Sequence, residues 1–283
     1  MLELVDAQVH FNDFASLETG ITAMEAVGVR ALVLDEVTRG NLEYHGRVLP
    51  NGAVRVSHEF SATAWIRYPD RFVYTQHIDP RDPEAGDLVA AAALDRPRQA
   101  GVRITPHIHL NGVARFEAGE WDGIIAACAK ERYPVFCLLS GWGGNVGMLE
   151  RVARKFPDAP LVLDHTGIPL GPGGASEDGV RSLLALAKYP NVFVKWCGAP
   201  RLAPPGEGFP FPTAVGILVR AVEAFGPQRL LWGSDHTRTR RFHSWADSFG
   251  HILATSELSQ GDKEWILGRS LRTLLRWPAP AAR

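Results

Sequence analysis

The chain of 283 residues lacks the features that would mark it for a membrane, a polymer or an oxidising compartment. No window approaches ~18 uninterrupted apolar residues, which excludes a membrane-spanning helix. The first residues, Met1-Leu-Glu-Leu-Val-Asp6, meet an acidic side chain by position 3 and have no basic segment ahead of an apolar one, so no secretory signal is expected. Thirty basic side chains against 31 acidic ones leave a net charge of −1. Without a basic excess, nucleic acid is not the expected partner. Cys128, Cys137 and Cys197 are an odd number without zinc-knuckle spacing, and they read as reduced thiols rather than a disulfide framework. No Gly-x-Ser-x-Gly elbow or Walker sequence occurs, so serine-hydrolase and nucleoside-triphosphatase chemistries fall away. The glycines of Gly141-Trp-Gly-Gly-Asn-Val-Gly147 do not match Gly-x-Gly-x-x-Gly. They read as a loop leading into a helix at Asn145, with N–H groups that could hold an anion. The expectation is a soluble, cytoplasmic protein.

What is present is a full core, with 46% hydrophobic and 22% charged residues, organised in a repeating way. Eight short apolar runs bounded by turn formers read as strands: Leu2 to Val9, Ala31 to Val37, Phe72 to Ile78, Val102 to Pro106, Pro134 to Leu139, Leu161 to His165, Val192 to Trp196 and Leu230 to Ser234. Segments of helical period separate them, among them Leu17 to Val27, Trp121 to Lys130, Val146 to Phe156, Val180 to Ala187, Val215 to Phe225 and Lys263 to Leu275. Gly or Pro just past several of these supplies a stop. No linker divides the chain, and eight βα units exceed the five to seven strands of a typical open sheet. The reading is one α/β domain over residues 1–283, a distorted single (β/α)8 TIM barrel. Two long irregular intervals, Thr38 to Phe60 after strand two and Ala199 to Pro212 after strand seven, would emerge on the catalytic face as lid or specificity loops, or as tolerated surface insertions.

In such a barrel functional side chains gather where the strands end. The polar residues there are Asp6, Gln8 and His10 on strand one, Gln76, His77 and Asp79 on strand three, and Arg103, Thr105, His107 and His109 on strand four. Ser140 follows on strand five, Asp164, His165 and Thr166 on strand six, Lys195 and Cys197 on strand seven, and Ser234, Asp235 and His236 on strand eight. So many histidines around one mouth, with an aspartate opposite, are hard to attribute to packing.

The strand-one end Asp6-x-Gln8-x-His10, the Leu-Asp164-His165-Thr-Gly167 of strand six and the Leu-Trp232-Gly233-Ser234-Asp235 of strand eight resemble the amidohydrolase superfamily. The resemblance is to the amidohydrolase-2 group that includes 2-pyrone-4,6-dicarboxylate lactonase and the sugar-acid lactonases, and it runs from residue 5 to about residue 275. Metal-dependent members place His-x-His on strand one, further ligands on strands five and six, and an aspartate on strand eight. Here Gln8 replaces the first histidine and strand five offers none. A neutral amide oxygen is a poor zinc ligand. The residues His10, His165 and Asp235 could still hold a metal, with zinc as the cofactor, but the lactonase branch implies metal-free catalysis. The segment Gly268-Arg-Ser-Leu271 also departs from the Gly-Asn-Ala usual in the family.

The resemblance implies a hydrolase that opens a carboxylated lactone, whether a sugar acid or a product of aromatic catabolism. Asp235 would deprotonate water and return the proton to the leaving oxygen, while His10, His165 and Gln8 donate to the carbonyl oxygen. Its substrates are small anions, which Arg103 suits as a bidentate clamp unless it is a structural ion pair. His77, His107, Lys195 and Arg238, or a neighbour of Arg238 among Arg240 and Arg241, complete the expected substrate contacts. Lys195 is also readable as a core ion-pair partner or, if buried, a Schiff-base nucleophile. A zinc-dependent hydrolase, a non-oxidative decarboxylase and a lactone isomerase remain alternatives, a barrel that only binds is the non-enzyme reading, and homo-oligomerisation stays open.

Overall fold

Each of the eight apolar runs forms a strand in the computed structural model, which describes residues 2–11, 14–36, 46–139 and 146–279. The strands are β1 (Leu4–Val9), β2 (Val29–Leu34), β3 (Phe72–His77), β4 (Gln99–Ile104), β5 (Val135–Cys137), β6 (Leu161–Leu163), β7 (Val192–Cys197) and β8 (Leu230–Gly233). Each pairs in parallel with the next in sequence, so the order around the sheet is the order along the chain. Between β8 and β1 the join is made differently. The backbone N–H of Ser234 donates to Asp6 Oδ1 at 2.8 Å, and that of Asp235 to the Gln8 carbonyl at 3.0 Å. Asp6 also accepts from the Trp245 indole at 2.9 Å, which ties the post-β8 loop to the same carboxylate. The result is a nearly closed (β/α)8 barrel.

The expected helices are present as α1 (Leu17–Ala26), α4 (Asp122–Glu131), α5 (Val146–Lys155), α6 (Glu177–Ala185) and α7 (Pro212–Phe225), and as a C-terminal helical segment from Gln260 to Leu275. Three of them start three residues earlier than their apolar period suggests: α7 opens on Pro212 at its first position, and at the other two polar caps extend the first turn. Ser176 accepts from the Gly179 N–H at 3.1 Å, and Ser259 forms a capping box with Asp262. Besides short helices at Gly112–Glu117 and His236–Thr239, three longer ones have no clear sequence signal: α2 (Glu59–Arg67), α3 (Ala85–Leu94) and α8 (Asp247–Ala254). In α3 the alanines leave no contrasting face to read. Of the interval Thr38 to Phe60, residues 38–45 lie outside the described residues, as do Val37 and residues 140–145 of the glycine-rich loop. The rest of that interval forms an antiparallel hairpin of Gly46–Val48 with Val54–Val56 and enters α2. Within Ala199 to Pro212 the described chain makes a single 3₁₀ turn before α7.

Inside the barrel the lower layer is apolar. Val5, Ala7, Ala31, Val33, Val73, Ala100, Phe136, Val162 and Leu231 form one cluster, plugged from below by Leu271, Leu275 and Trp277. The C-terminal segment reaches that position through a π turn at Trp265–Arg269, where Gly268 passes β1 so closely that a Cβ would stand 2.7 Å from the Glu3 carbonyl oxygen. A side chain at 268 would push this plug off the barrel. The register of β1 against β2 slips between Asp6 and Val9. There Ala7 still belongs to the apolar floor, while Gln8 and His10 reach Lys195 and Asp235 above it. Among the described residues no helix is long and apolar enough to cross a membrane.

On the outer face of β7, the Trp196 indole donates to His251 Nε2 at 3.1 Å, and His251 Nδ1 bonds the Asp247 carbonyl at 3.0 Å. An indole can only donate, so Nε2 must accept and the ring is neutral with its proton on Nδ1. Burial lowers the pKa of His251 to about 4, against the opposing bond to Asp247. The folded value lies below the unfolded one near 6.5, so stability is complete above that pH and falls as pH drops from 6.5 toward 4. The loss from this residue is about 3 kcal/mol. Denaturant unfolding of the parent and His251→Gln should show a shallower pH dependence for the variant in that window, and equal slopes would remove His251 as the cause.

Candidate functional site

Above the apolar floor the strand ends carry a layer of buried charge. Arg103 of β4 lies between two carboxylates: Nη1 pairs with Asp35 Oδ2, and Nη2 stands 2.9 Å from Asp164 Oδ2. The other oxygen of Asp164 accepts from Lys195 Nζ at 2.6 Å, and the same ammonium donates to Gln8 Oε1 at 2.8 Å and sits 4.9 Å over the Phe136 ring. Burial would raise the Asp164 pKa, yet Lys195 and Arg103 together hold it well below the usual carboxylate range. Burial pulls the Lys195 pKa down, and Asp164 opposes this. Two cations and two carboxylates therefore balance one another where neither sign could be buried alone.

The histidines of the mouth are held neutral. His77, ending β3, places Nε2 3.0 Å from Asp35 Oδ1 and its backbone N–H 3.2 Å from His58 Nε2; burial lowers its pKa to about 4. Burial and the positive charge of Arg103 take His10 well below its ordinary range. His10 Nε2 lies 3.4 Å from Gln8 Nε2, 3.5 Å from Asp235 Oδ1 and 3.8 Å from Asp35 Oδ2. His165 is not a strand residue as its apolar run suggested. It occupies a left-handed turn with Thr166, at φ 53° and 61°, ahead of Gly167. This turn presents His165 Nδ1 to Cys197 Sγ at 3.2 Å. Burial pushes the Cys197 thiol well above its ordinary pKa, and it lowers that of His165.

Asp235 follows β8 in a left-handed conformation at φ 47°, fixed by its N–H on the Gln8 carbonyl. Asp235 is 2% exposed, and burial raises the pKa of its carboxyl to about 7 against the pull of Arg103, Lys195 and Arg238. Among the described residues Oδ1 makes no hydrogen bond. In the same region burial lifts Asp6 to about 6, although Ser234, Gln8 and Trp245 all donate to it.

The expected residues Asp235, His10, His165 and Gln8 thus meet at one place, with Arg103, His77 and Lys195 buried around them. Arg238 is half-buried in the turn after β8, and His107 is exposed on a 3₁₀ turn after β4, with Nδ1 3.0 Å from the Leu138 carbonyl. Three further residues belong to the constellation: Asp35 and Trp245, which the sequence reading did not name, and Cys197, which it placed at the end of strand seven without giving it a role. Asp35 was hidden because strand two was drawn through to Val37, which put it inside a strand rather than at its end. Cys197 shares the inward parity of Lys195, two residues earlier, which was a usable signal. Trp245, which anchors Asp6 and stacks on His236 at 4.7 Å and 9°, lies in a loop without any pattern to reveal it.

The superfamily's usual metal set does not fit this arrangement. Gln8 Oε1 is occupied by the Lys195 ammonium, whose charge would oppose a divalent cation at the Gln8–His10 pair. The described part of strand five offers only Cys137, whose thiol donates to the carbonyl of Val135 in its own strand. Of the set His10, His165 and Asp235, the last two do have ligand atoms close together, but the third member of that group is Cys197.

The family model for amidohydrolase matches residues 5–276. L-fucono-1,5-lactonase of Burkholderia ambifaria is 37% identical over 108 residues, which are 37% of this chain and 35% of the relative, so the match spans about a third of that enzyme's length. The fold is shared with an amidohydrolase from Burkholderia multivorans solved with bound zinc, at TM-score 0.73 and 19% identity over 98% of this chain and 100% of that one. A putative 2-pyrone-4,6-dicarboxylic acid hydrolase from Pseudomonas putida superposes with TM-score 0.71 at 20% identity, over 98% of both chains. With a family match over nearly its whole length and a barrel that carries the strand-one, strand-six and strand-eight signatures at one mouth, the chain belongs to the amidohydrolase family.

Proposed function

We propose that the mouth of the barrel hydrolyses a small lactone, with Asp235 as general base and the developing charges met by the chain's own side chains. The observation that carries this reading is the carboxyl of Asp235, buried, without a hydrogen bond to Oδ1 among the described residues, and 3.5 Å from His10. A pKa near 7 leaves much of it ionised at neutral pH while keeping it a strong enough base for water. In the proposed reaction a water beside the ester carbonyl gives its proton to Asp235 as its oxygen bonds to the carbonyl carbon. Collapse of the tetrahedral adduct breaks the ring C–O bond, and the departing oxygen takes the proton back from Asp235 to yield the open hydroxy acid. The names of the L-fucono-1,5-lactonase and the 2-pyrone-4,6-dicarboxylic acid hydrolase support the same reaction class.

The donors for the oxyanion follow from the hydrogen-bond chain. An ammonium has donors and no acceptor, so Lys195 requires Gln8 to present Oε1 to it and to turn Nε2 toward His10. An amide NH₂ can only donate, so His10 Nε2 accepts and the ring proton sits on Nδ1, an atom with no hydrogen-bond partner among the described residues. At His165 the protonated Cys197 thiol can donate to Nδ1, which leaves a second N–H on Nε2. Two neutral imidazoles then offer N–H groups without adding charge to a layer that is already balanced. Arg103 and Lys195 are matched by Asp35, Asp164 and Gln8, so in this proposal a carboxylate on the substrate is met at the rim by Arg238 and His107.

A screen of sugar-acid and aromatic-catabolism lactones with the purified protein tests the reaction class, and NMR of the product separates hydrolysis from acyl migration. With an active substrate, Asp235→Asn should lower kcat by about 100- to 10,000-fold with an unchanged circular dichroism spectrum; a folded variant of parental activity rules Asp235 out as the base. Gln8→Glu should keep an acceptor for Lys195 but remove the N–H that His10 requires. Its expected signature is a move of the His10 proton from Nδ1 toward Nε2 in ¹⁵N ring spectra, with kcat down about tenfold or more. An unmoved tautomer would break the proposed chain from Lys195 to His10.

A further inference from the structure

We propose that the cleft between the loops after β6, β7 and β8 is a substrate subsite for a ring bearing a hydroxyl group, and that His243 is the residue that reads the hydroxyl. The inference rests on the lactonase reading above and deepens it, because it assigns a second, non-reacting part of the substrate. One wall of the cleft is the antiparallel hairpin of Leu170–Gly171 with Gly174–Ala175, which follows β6. At Gly174 φ is +86° and a Cβ would stand 2.5 Å from the Leu202 carbonyl oxygen, so the hairpin is seated tightly against the 3₁₀ turn that follows β7. The chain at Phe242 and His243, beyond β8, closes the other side. Together the loops bound about 280 Å³, with Pro172, Pro204, Phe211 and Phe242 as apolar lining and Arg201 and His243 as polar lining. The cleft adjoins the reacting centre. Arg201, whose guanidinium lies 4.4 Å from the centre of the Phe242 ring, is close enough to Asp235 and Cys197 for their charge to oppose the lowering of its pKa by burial.

The chemistry of the occupant follows from His243, which is 7% exposed. Its Nδ1 stands 3.0 Å from the Ser244 carbonyl. A carbonyl only accepts, so Nδ1 carries the ring proton. Burial lowers the pKa of the ring, against that bond and the charge of Asp247, and keeps it neutral. Nε2 is therefore an acceptor, and it has no hydrogen-bond partner among the described residues, a state that buried polar atoms seldom keep. The carboxylate of Glu207, which also lines the cleft, is already taken by the backbone N–H and hydroxyl of Thr213. An imidazole lone pair repels a carboxylate or phosphate oxygen and attracts an O–H, so the group read here is a neutral hydroxyl. The prolines and the half-exposed Phe242 suit the apolar face of the ring that carries it. The substrate is then a lactone with a hydroxylated ring as substituent, rather than a lactone alone.

Probes that carry the ring without the lactone test the subsite independently of turnover. Phenol and methyl α-D-glucopyranoside supply a hydroxylated ring of aromatic or sugar type, and methoxybenzene supplies the aromatic ring without an O–H donor. In ¹⁵N spectra of the histidine rings of the full chain, Nε2 of His243 should move upfield and saturate with at least one hydroxylated probe. Movement with phenol identifies a hydroxyaryl substituent, and movement with the glucoside a glycosyl one. Methoxybenzene should leave Nε2 unmoved and bind about tenfold more weakly than a responding phenol. His243→Leu, with its fold checked by circular dichroism, should bind the responding probe about tenfold more weakly by calorimetry. No response to either hydroxylated probe, an equal response to methoxybenzene, or undiminished binding in a folded His243→Leu overturns the proposal. A response at His243 in a protein that opens no lactone upholds the subsite and counts only against the proposed reaction.

Discussion

The carboxylate of Asp164 is the point from which both halves of the barrel mouth are held. One of its oxygens takes Lys195 and the other takes Arg103. Through Lys195 it orients Gln8, and Gln8 meets His10; through Arg103 it reaches Asp35, and Asp35 meets His77. Removing one partner of such a buried set leaves an uncompensated charge in a medium that solvates it poorly, at a cost of roughly 3–5 kcal/mol. The set is therefore weak evidence for overall stability and strong evidence for a single arrangement of its members. Side chains from β1, β4 and β7, and from the residues just after β2 and β6, must all be in place together for their charges to be satisfied.

Two consequences follow for the chemistry above that layer. The first is that the histidines stay neutral, because burial and nearby cations both resist a further positive charge. A neutral ring can donate at one nitrogen and accept at the other, which is the form required of an oxyanion donor. The second is that Asp235 stands apart from the compensated set, with burial raising its pKa while Arg103, Lys195 and Arg238 lower it. Carboxyls at the same depth in one protein are thereby driven to opposite protonation behaviour, Asp164 downward and Asp235 upward, by the presence or absence of a directly paired cation. All of this is mounted on strand ends and short turns, where backbone hydrogen bonds limit displacement.

Much of this was legible in the residue order. Parallel strands buried on both faces write themselves as unbroken apolar runs, so all eight were visible, and the convergence of strand ends brought Asp235, His10, His165 and Gln8 to one place in advance. Partnerships were less visible. Nothing in the spacing of Arg103 says that Asp35 and Asp164 hold it, because the three residues meet only through closure of the sheet. His165 looked like the end of a strand because its apolar run is continuous, whereas the backbone turns left-handed just after Leu163. Helix starts at Ser176 and Ser259 were misplaced because capping is a property of polar residues that apolar periodicity ignores. Trp245 belongs to a loop whose contribution depends entirely on where the barrel brings it.

The seam between β1 and β8 also constrains the order of assembly. Residue 6 accepts from residue 234, residue 8 from residue 235, and Glu3 pairs with Arg272. During synthesis β1 is made well before its final neighbour, which lies more than 220 residues further along the chain. Until then β1 has β2 on one flank and an open edge on the other, which is the arrangement most exposed to mispairing. Ring closure over so long a separation adds little to the entropic cost beyond a loop of half the length, because that cost grows only with the logarithm of loop size. The difficulty is one of timing, and the polar mouth of the barrel, assembled across the same seam, can exist only after the last strand has docked.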